Sequence, residues 1–240
     1  MKLTAKELKR QARESLIGRY GVPMAAFVLT ELIILLINLP FNLSFQSNPD
    51  TFQMIVFSLA SFIISLLSAV LNCGQIYIHL NLSRKKGYNV TDLFYFFTRR
   101  PDRIILTELL VTCIFLITLL PAALCSFAAY FLINTTPFYI LTFIVWILTC
   151  AILTVISYQY HLVRYLLIEL PEENPVGILR KSRQLMSGNK GRAFYISLSF
   201  IGMTILSLFS LGISLLWLTP YMTQTQVKFY QNIIAEIGET

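Results

Sequence analysis

A run of 55 consecutive residues, Leu109 to Val163, contains no Asp, Glu, Lys or Arg. Nothing else in the chain limits its fold as sharply. Two shorter runs share the property, Thr51–Ser83 (33 residues) and Ala193–Val227 (35 residues), and between Tyr20 and Pro49 the only charge is Glu31. About 20 residues of helix cross ~30 Å of hydrocarbon at 1.5 Å per residue. Runs of this length therefore read as membrane spans, since a segment in lipid must satisfy its own backbone hydrogen bonds. Composition agrees: 56% of the 240 residues are hydrophobic and 13% are charged. Soluble domains carry about 25% charged residues. A soluble core could not hide that much apolar surface. Disorder, collagen, a disulfide framework and a soluble nucleic-acid binder are excluded as whole-chain descriptions.

The 55-residue run is long enough for two spans and divides at Asn134-Thr135-Thr136-Pro137, where polar residues and a helix-starting proline make a turn. Thr51–Ser83 reads as one long helix. As a single straight helix, Ala193–Val227 would measure about 52 Å. A tight turn at Ser210-Leu211-Gly212 would give two helices, near 193–210 and 213–234; alternatively Pro220 ends one span and the tail lies outside. The expected fold is an all-α polytopic transmembrane helix bundle forming a single integral membrane domain over 1–240. It has about six spans in three hairpins, near 22–40, 53–82, 104–133, 138–166, 193–210 and 213–234, with five spans as the alternative.

Charge sets the orientation. Of the 19 Lys and Arg residues, six precede the first span, six lie between spans two and three, and six surround the loop between spans four and five. The opposite loops, near 41–52, 134–137 and 211–212, carry none. By the positive-inside rule the N-terminus is cytoplasmic, and the net charge of +7 belongs to a membrane-facing belt. Cys73, Cys113, Cys125 and Cys150 lie inside predicted spans without a C-x-x-C pair and read as small packing residues.

Each basic segment predicts a short amphipathic interfacial helix ahead of a hairpin, giving repeat units of about 1–82, 91–166 and 174–234. The first has Thr4 as N-cap, Glu7 completing a capping box, an apolar face of Leu8, Ala12, Leu16 and Ile17, and a stop at Gly18. The third begins at Asn174-Pro175, places Ile178, Leu179, Ser182, Leu185 and Met186 on one face, and stops at Gly188. The middle one, Thr91–Phe97, would be capped by Thr91 or Asp92. Shifting the chain by 170 residues brings Arg10, Arg13, Gly18 and Gly21 onto Arg180, Arg183, Gly188 and Gly191; shifting by 77 brings Thr30-Glu31-Leu32 onto Thr107-Glu108-Leu109. A third unit built like the others favours six spans.

The segment Arg180-Lys181-Ser182-Arg183-Gln184-Leu185-Met186-Ser187-Gly188-Asn189-Lys190 resembles the C-terminal signature of the domain of unknown function 975 family. So do Leu198-Ser199-Phe200-Ile201-Gly202 and Leu216-Trp217-Leu218-Thr219-Pro220-Tyr221. Leu8-Lys9, Leu82 to Gly87 and Asp92-Leu93-Phe94 fit it too. The resemblance implies a multi-pass membrane protein of a bacterial, mostly Gram-positive, cytoplasmic membrane, and it transfers no catalytic residue. That family's fourth span is expected to carry a proline–glycine break, which this chain lacks.

Enzyme templates fail one by one. No H-E-x-x-H, G-x-S-x-G or phosphate-cradling glycine loop occurs, and two histidines give no metal set. The expectation is a protein that is not an enzyme and needs no cofactor. Two groups of residues stand out instead. Glu31, Asn72, Gln75, His79, Glu108, His161 and Arg164 are polar at membrane depth and could line a vestibule or proton path. The plainer reading is interhelical hydrogen bonding at about 0.6 kcal/mol each, with Glu108 snorkelling beside Arg103 and Thr107. Ser58, Ser61, Ser65 and Ser68 read as a small-residue packing stripe. The second group, Arg180, Lys181, Arg183, Lys190 and Arg192, exceeds what topology needs. It predicts docking of anionic inner-leaflet lipid, or of a partner protein or second copy, with no nucleic acid involved. The alternative is a small ion- or proton-coupled transporter using Glu31 and the polar face of span two.

Overall fold

The computed structural model describes residues 2–44, 50–133 and 135–238, and every regular element among them is helical. In chain order these are α1 (Ala5–Leu16), α2 (Gly21–Ser44), α3 (Thr51–Ser83), a 3-10 turn (Val90–Phe94), α4 (Tyr95–Thr98) and α5 (Pro101–Ala128). A π-turn (Ala129–Ile133) continues α5. Then come α6 (Thr136–Gln159), α7 (Val163–Glu169), α8 (Pro175–Met186), α9 (Lys190–Leu198), α10 (Ile201–Phe209) and α11 (Leu215–Gly238). Five segments are long and apolar enough to cross a membrane: Gly21–Leu43, Thr51–Ser83, Pro101–Ile133, Thr136–Glu169 and Lys190–Phe209. The chain is therefore read as a membrane protein. α11 stands where a sixth span was expected, but Gln224, Gln226, Lys228, Gln231, Asn232 and Glu236 make it more polar than those five.

Packing is concentrated at one end. The main cluster joins Leu8, Val70, Cys73, Leu80, Leu162, Ile178, Met186, Phe200, Phe229 and Ile233. All lie near the basic segments. At the other end the helices expose large apolar residues, including Leu43, Phe52, Leu132, Phe209 and Leu211, a surface suited to hydrocarbon. Cys73 is buried in the cluster, whereas Cys113 and Cys150 are exposed. Two of the stripe's serines stand outside the packing: Ser58 and Ser65 are exposed and bond carbonyls of their own helix, whereas Ser61 and Ser68 are half-buried.

The short helices form where their caps predict, but protein covers them. Thr4 accepts from the Glu7 N–H, and Leu8, Ala12 and Leu16 are fully buried, with α1 laid along α11. The capping box is only half made, because the Glu7 carboxylate turns to Arg10, and Ile17 is exposed. Arg10 holds the Glu7 pKa below the ordinary carboxylate value. Asn174 accepts from Gly177 N–H, and α8 buries Ile178, Leu179, Ser182 and Met186 against α5, α6 and α7. Gly18 and Gly188 end the helix regions of α1 and α8 with φ of +71° and +76°.

The middle element departs from expectation. It is a 3-10 turn followed by a single helical turn, and Asn89 rather than Thr91 or Asp92 is the cap, its N–H donating to the Asp92 carboxylate. The cause lies on α3. A Cβ at Gly74 would sit 2.1 Å from the Leu93 carbonyl oxygen, so the backbone at 93 rests directly on the glycine and Leu93 is fully buried. That contact fixes the backbone of the turn against α3.

The expected turn at 210–212 is present. Gly212 N–H reaches Ser207 O at 3.0 Å and Leu211 N–H reaches Leu208 O at 3.1 Å, with Leu211 and Gly212 at positive φ, the pattern that closes helices in a Schellman motif. Beyond it α11 returns along α10 and α9: Phe200 meets Tyr221 edge-on at 5.3 Å, and Arg192 meets Asn232 and Glu236. The helix also breaks at Ser199-Phe200, where Lys9 donates to the Ser199 carbonyl at 2.8 Å and lies 3.8 Å over the Phe200 ring. Burial there pulls the Lys9 pKa below that of a free lysine. The fourth apolar segment breaks too, at 160–162, without proline or glycine. Ser182 Oγ donates to the Gln159 carbonyl at 3.0 Å, which explains a serine in the buried face of α8.

Candidate functional site

The basic end carries its own counter-charge. α7 ends at Glu169, and this end and the loop that follows it are held by cations from the end of α3 and from α5 and α8. Arg103 reaches in from the first turn of α5 and donates to the carbonyls of Leu170, Pro171 and Glu173. Arg100 donates to the Pro171 carbonyl at 3.0 Å and faces Glu172 at 3.6 Å. Arg84 pairs with Glu169 at 2.7 Å, and Lys181 pairs with Glu173. The hydrogen bond to Glu169 raises the Arg84 pKa further. Exposed pairs of this kind contribute about 0.2–1 kcal/mol apiece, so their main effect is to fix the 169–173 loop and to occupy Arg84, Arg103 and Lys181, while Arg100 spends only one nitrogen on it.

Arg192 is committed more deeply. Its guanidinium donates to Asn232 Oδ1 at 2.6 Å, Leu3 O at 3.0 Å, Asn189 Oδ1 at 3.1 Å and Glu236 at 3.2 Å. Leu3 N–H also donates to Asn232 Oδ1 at 3.2 Å. One side chain thus ties the segment before α1 to the start of α9 and the end of α11.

Of the expected docking set, Arg192 is spent inside the fold and Lys181 in a partly exposed pair with Glu173. Lys190 donates to Gln159 Oε1 at 3.1 Å. Arg180 and Arg183 are exposed and make no hydrogen bond or ion pair among the described residues. Arg183 and Lys190 share the rim of a cavity of about 450 Å³ with Ser187 and Gly188.

The expected intramembrane set does not come together. Glu31 is exposed on α2, with no partner among the described residues, while its neighbour Thr30 is buried and accepts from Gln75 Nε2 at 2.7 Å. Asn72 bonds the Ser68 carbonyl of its own helix. His79 is buried and its Nδ1 lies 2.7 Å from Gln224 Oε1. His161 Nε2 lies 2.9 Å from Gln226 Oε1. Glu108 pairs with Arg164 at 3.1 Å, across from α5 to α7, rather than with Arg103. The set resolves into four separate interhelical contacts with Asn72 and Glu31 outside them.

Sequence reasoning missed α11's contribution. Gln224, Gln226, Gln231 and Asn232 are the partners of His79, His161, Ser83 and Arg192. The signal was present in Thr223-Gln224-Thr225-Gln226, a polar run in a segment expected to face lipid. The acidic stretch Glu169 to Glu173, set among cations, was equally readable as their internal partner.

No curated protein and no solved structure matches the chain. Residues 1–236 match the family described as Protein of unknown function (DUF975). With apolar helices, paired basic segments and the Arg180–Lys190 stretch all inside that match, the chain belongs to this family.

Proposed function

We propose that this is a non-enzymatic, multi-pass protein of a bacterial cytoplasmic membrane that gathers anionic lipid headgroups at its basic, cytoplasm-facing end. The observation that carries this reading is Arg180 and Arg183. They stand exposed on the outer face of α8 with no hydrogen bond or ion pair among the described residues, while the helix's inner face is fixed in the core and Lys181 beside them is paired with Glu173. Lys6, Arg13, Arg19, Lys85 and Lys86 add further charges without partners among the described residues. A cation close to an anionic leaflet gains about 1 kcal/mol, so a rigid cluster can enrich acidic lipid without a deep pocket. The transport reading draws nothing from Glu31, which lies apart from the His79 contact.

The test is lipid analysis of protein extracted with its surrounding bilayer in polymer nanodiscs. The double charge reversal Arg180→Glu/Arg183→Glu should leave folding intact and lower the phosphatidylglycerol fraction relative to wild type. An unchanged fraction would remove the reading; loss of a copurifying subunit with unchanged lipid would replace it with protein docking.

A further inference from the structure

A second place on the basic end has a different construction. Between α3, α4, α5 and α7 lies a cavity of about 440 Å³, within the size range of small-molecule sites. One wall is aromatic and locked: Tyr77 stacks on Tyr95 at 4.6 Å, and Phe96 meets Tyr77 edge-on at 5.8 Å and Tyr95 at 5.1 Å. The floor is aliphatic, from Ile104, Leu167 and Ile168, which sit in the apolar segments Pro101–Ile133 and Thr136–Glu169. The mouth carries Arg99, Arg100 and Arg103.

These arginines are held in place, with donors to spare. Arg103 is taken up by the carbonyls of residues 170, 171 and 173. Arg99 uses one nitrogen on the Tyr95 hydroxyl at 2.9 Å and lies 4.8 Å over that ring. Arg100 uses one nitrogen on Pro171. Each guanidinium has five N–H donors, so Arg99 and Arg100 keep most of theirs. The only acid in ion-pair contact with the three, among the described residues, is the exposed Glu172. Arg100 is also held at φ +54°, ψ +53°, immediately before Pro101. That conformation is uncommon for a non-glycine residue and disfavoured before proline. The start of α5 adds its positive dipole end to the same mouth.

We propose that this cavity binds the phosphate ester of one anionic glycerophospholipid, with phosphate on Arg99 and Arg100 and the first acyl carbons on the Ile104–Leu167 floor. Guanidinium pairs suit phosphate oxygens in fork geometry. An aliphatic floor continuous with the spans selects a lipid over a soluble phosphate ester. The inference rests on the membrane placement proposed above but not on Arg180 or Arg183.

The experiment is native mass spectrometry of the delipidated full chain in detergent, titrated with phosphatidylglycerol, phosphatidylcholine or glycerol 3-phosphate. Wild type should take up one phosphatidylglycerol well before any phosphatidylcholine. Arg99→Ala should weaken that first adduct by about tenfold, the loss of one charge-assisted contact. Thr98→Trp, which fills the mouth while leaving the arginine clamps on Pro171, should abolish it. Arg180→Glu/Arg183→Glu should leave it unchanged, which separates this site from the surface reading. Equal uptake of the two lipids, or full uptake by a folded Thr98→Trp chain, would overturn the site. Glycerol 3-phosphate binding as tightly as phosphatidylglycerol would overturn the lipid assignment.

Discussion

The Arg192 guanidinium has four oxygens within hydrogen-bond distance, and they come from residues 3, 189, 232 and 236. Removing a mostly buried partner of this kind strands the others. Arg192→Ala should therefore cost about 3 kcal/mol, read as a lower unfolding temperature in detergent. Arg192→Lys should recover only part of it, since a point-like ammonium cannot bridge oxygens spread around a planar fork. Arg180→Ala, by contrast, should shift stability by less than about 0.5 kcal/mol, because that side chain is exposed and makes no hydrogen bond or ion pair among the described residues. In the sequence these two arginines look alike, twelve positions apart in one basic stretch. What separates them is contact with residues 40 and 189 positions away, which no local pattern reports. The same holds for His79 and His161: their polarity at membrane depth was legible, but not their glutamine partners on α11.

Among elements, local chemistry was legible wherever local chemistry decides. Thr4 and Asn174 cap α1 and α8, and Gly18 and Gly188 stop them. α6 starts at Thr136-Pro137, although Asn134 of that expected turn lies outside the described residues, and the turn at 210–212 falls where serine and glycine stand. The misreadings occur where a distant surface takes over. Helix could not be told from 3-10 turn at 90–94, because that geometry comes from Leu93 resting on Gly74. The break at 160–162 rests on a hydroxyl from α8 rather than on any breaker residue. Gly74→Ala tests the first of these. Its methyl group must push the Leu93 backbone away, an overpacking that should cost about 1–3 kcal/mol in thermal unfolding. A cost near zero would mean that the turn is not held against α3.

For the whole molecule, charge-free runs were enough to predict a helical membrane protein, while the weighting of its packing toward one end was not legible in them. The sequence could not reveal that the apolar stripes of α1 and α8 would be covered by protein instead of lipid. Sidedness can be tested in a cysteine-free background. Lys86→Cys and Arg183→Cys should react only with reagents admitted to the cytoplasm, and Leu211→Cys, at the far turn, only with reagents outside the cell. Labelling of all three from one side would break the proposed threading. The docking of α1 has a further consequence in time. The Leu3–Asn232 contact joins positions 229 residues apart, so a ribosome finishes the first helix long before the surface that receives it exists. Through most of synthesis Leu8, Ala12 and Leu16 need some other cover. A newborn chain with this pattern is expected to rest α1 on the bilayer, or on a chaperone, and to hand it over when α11 arrives.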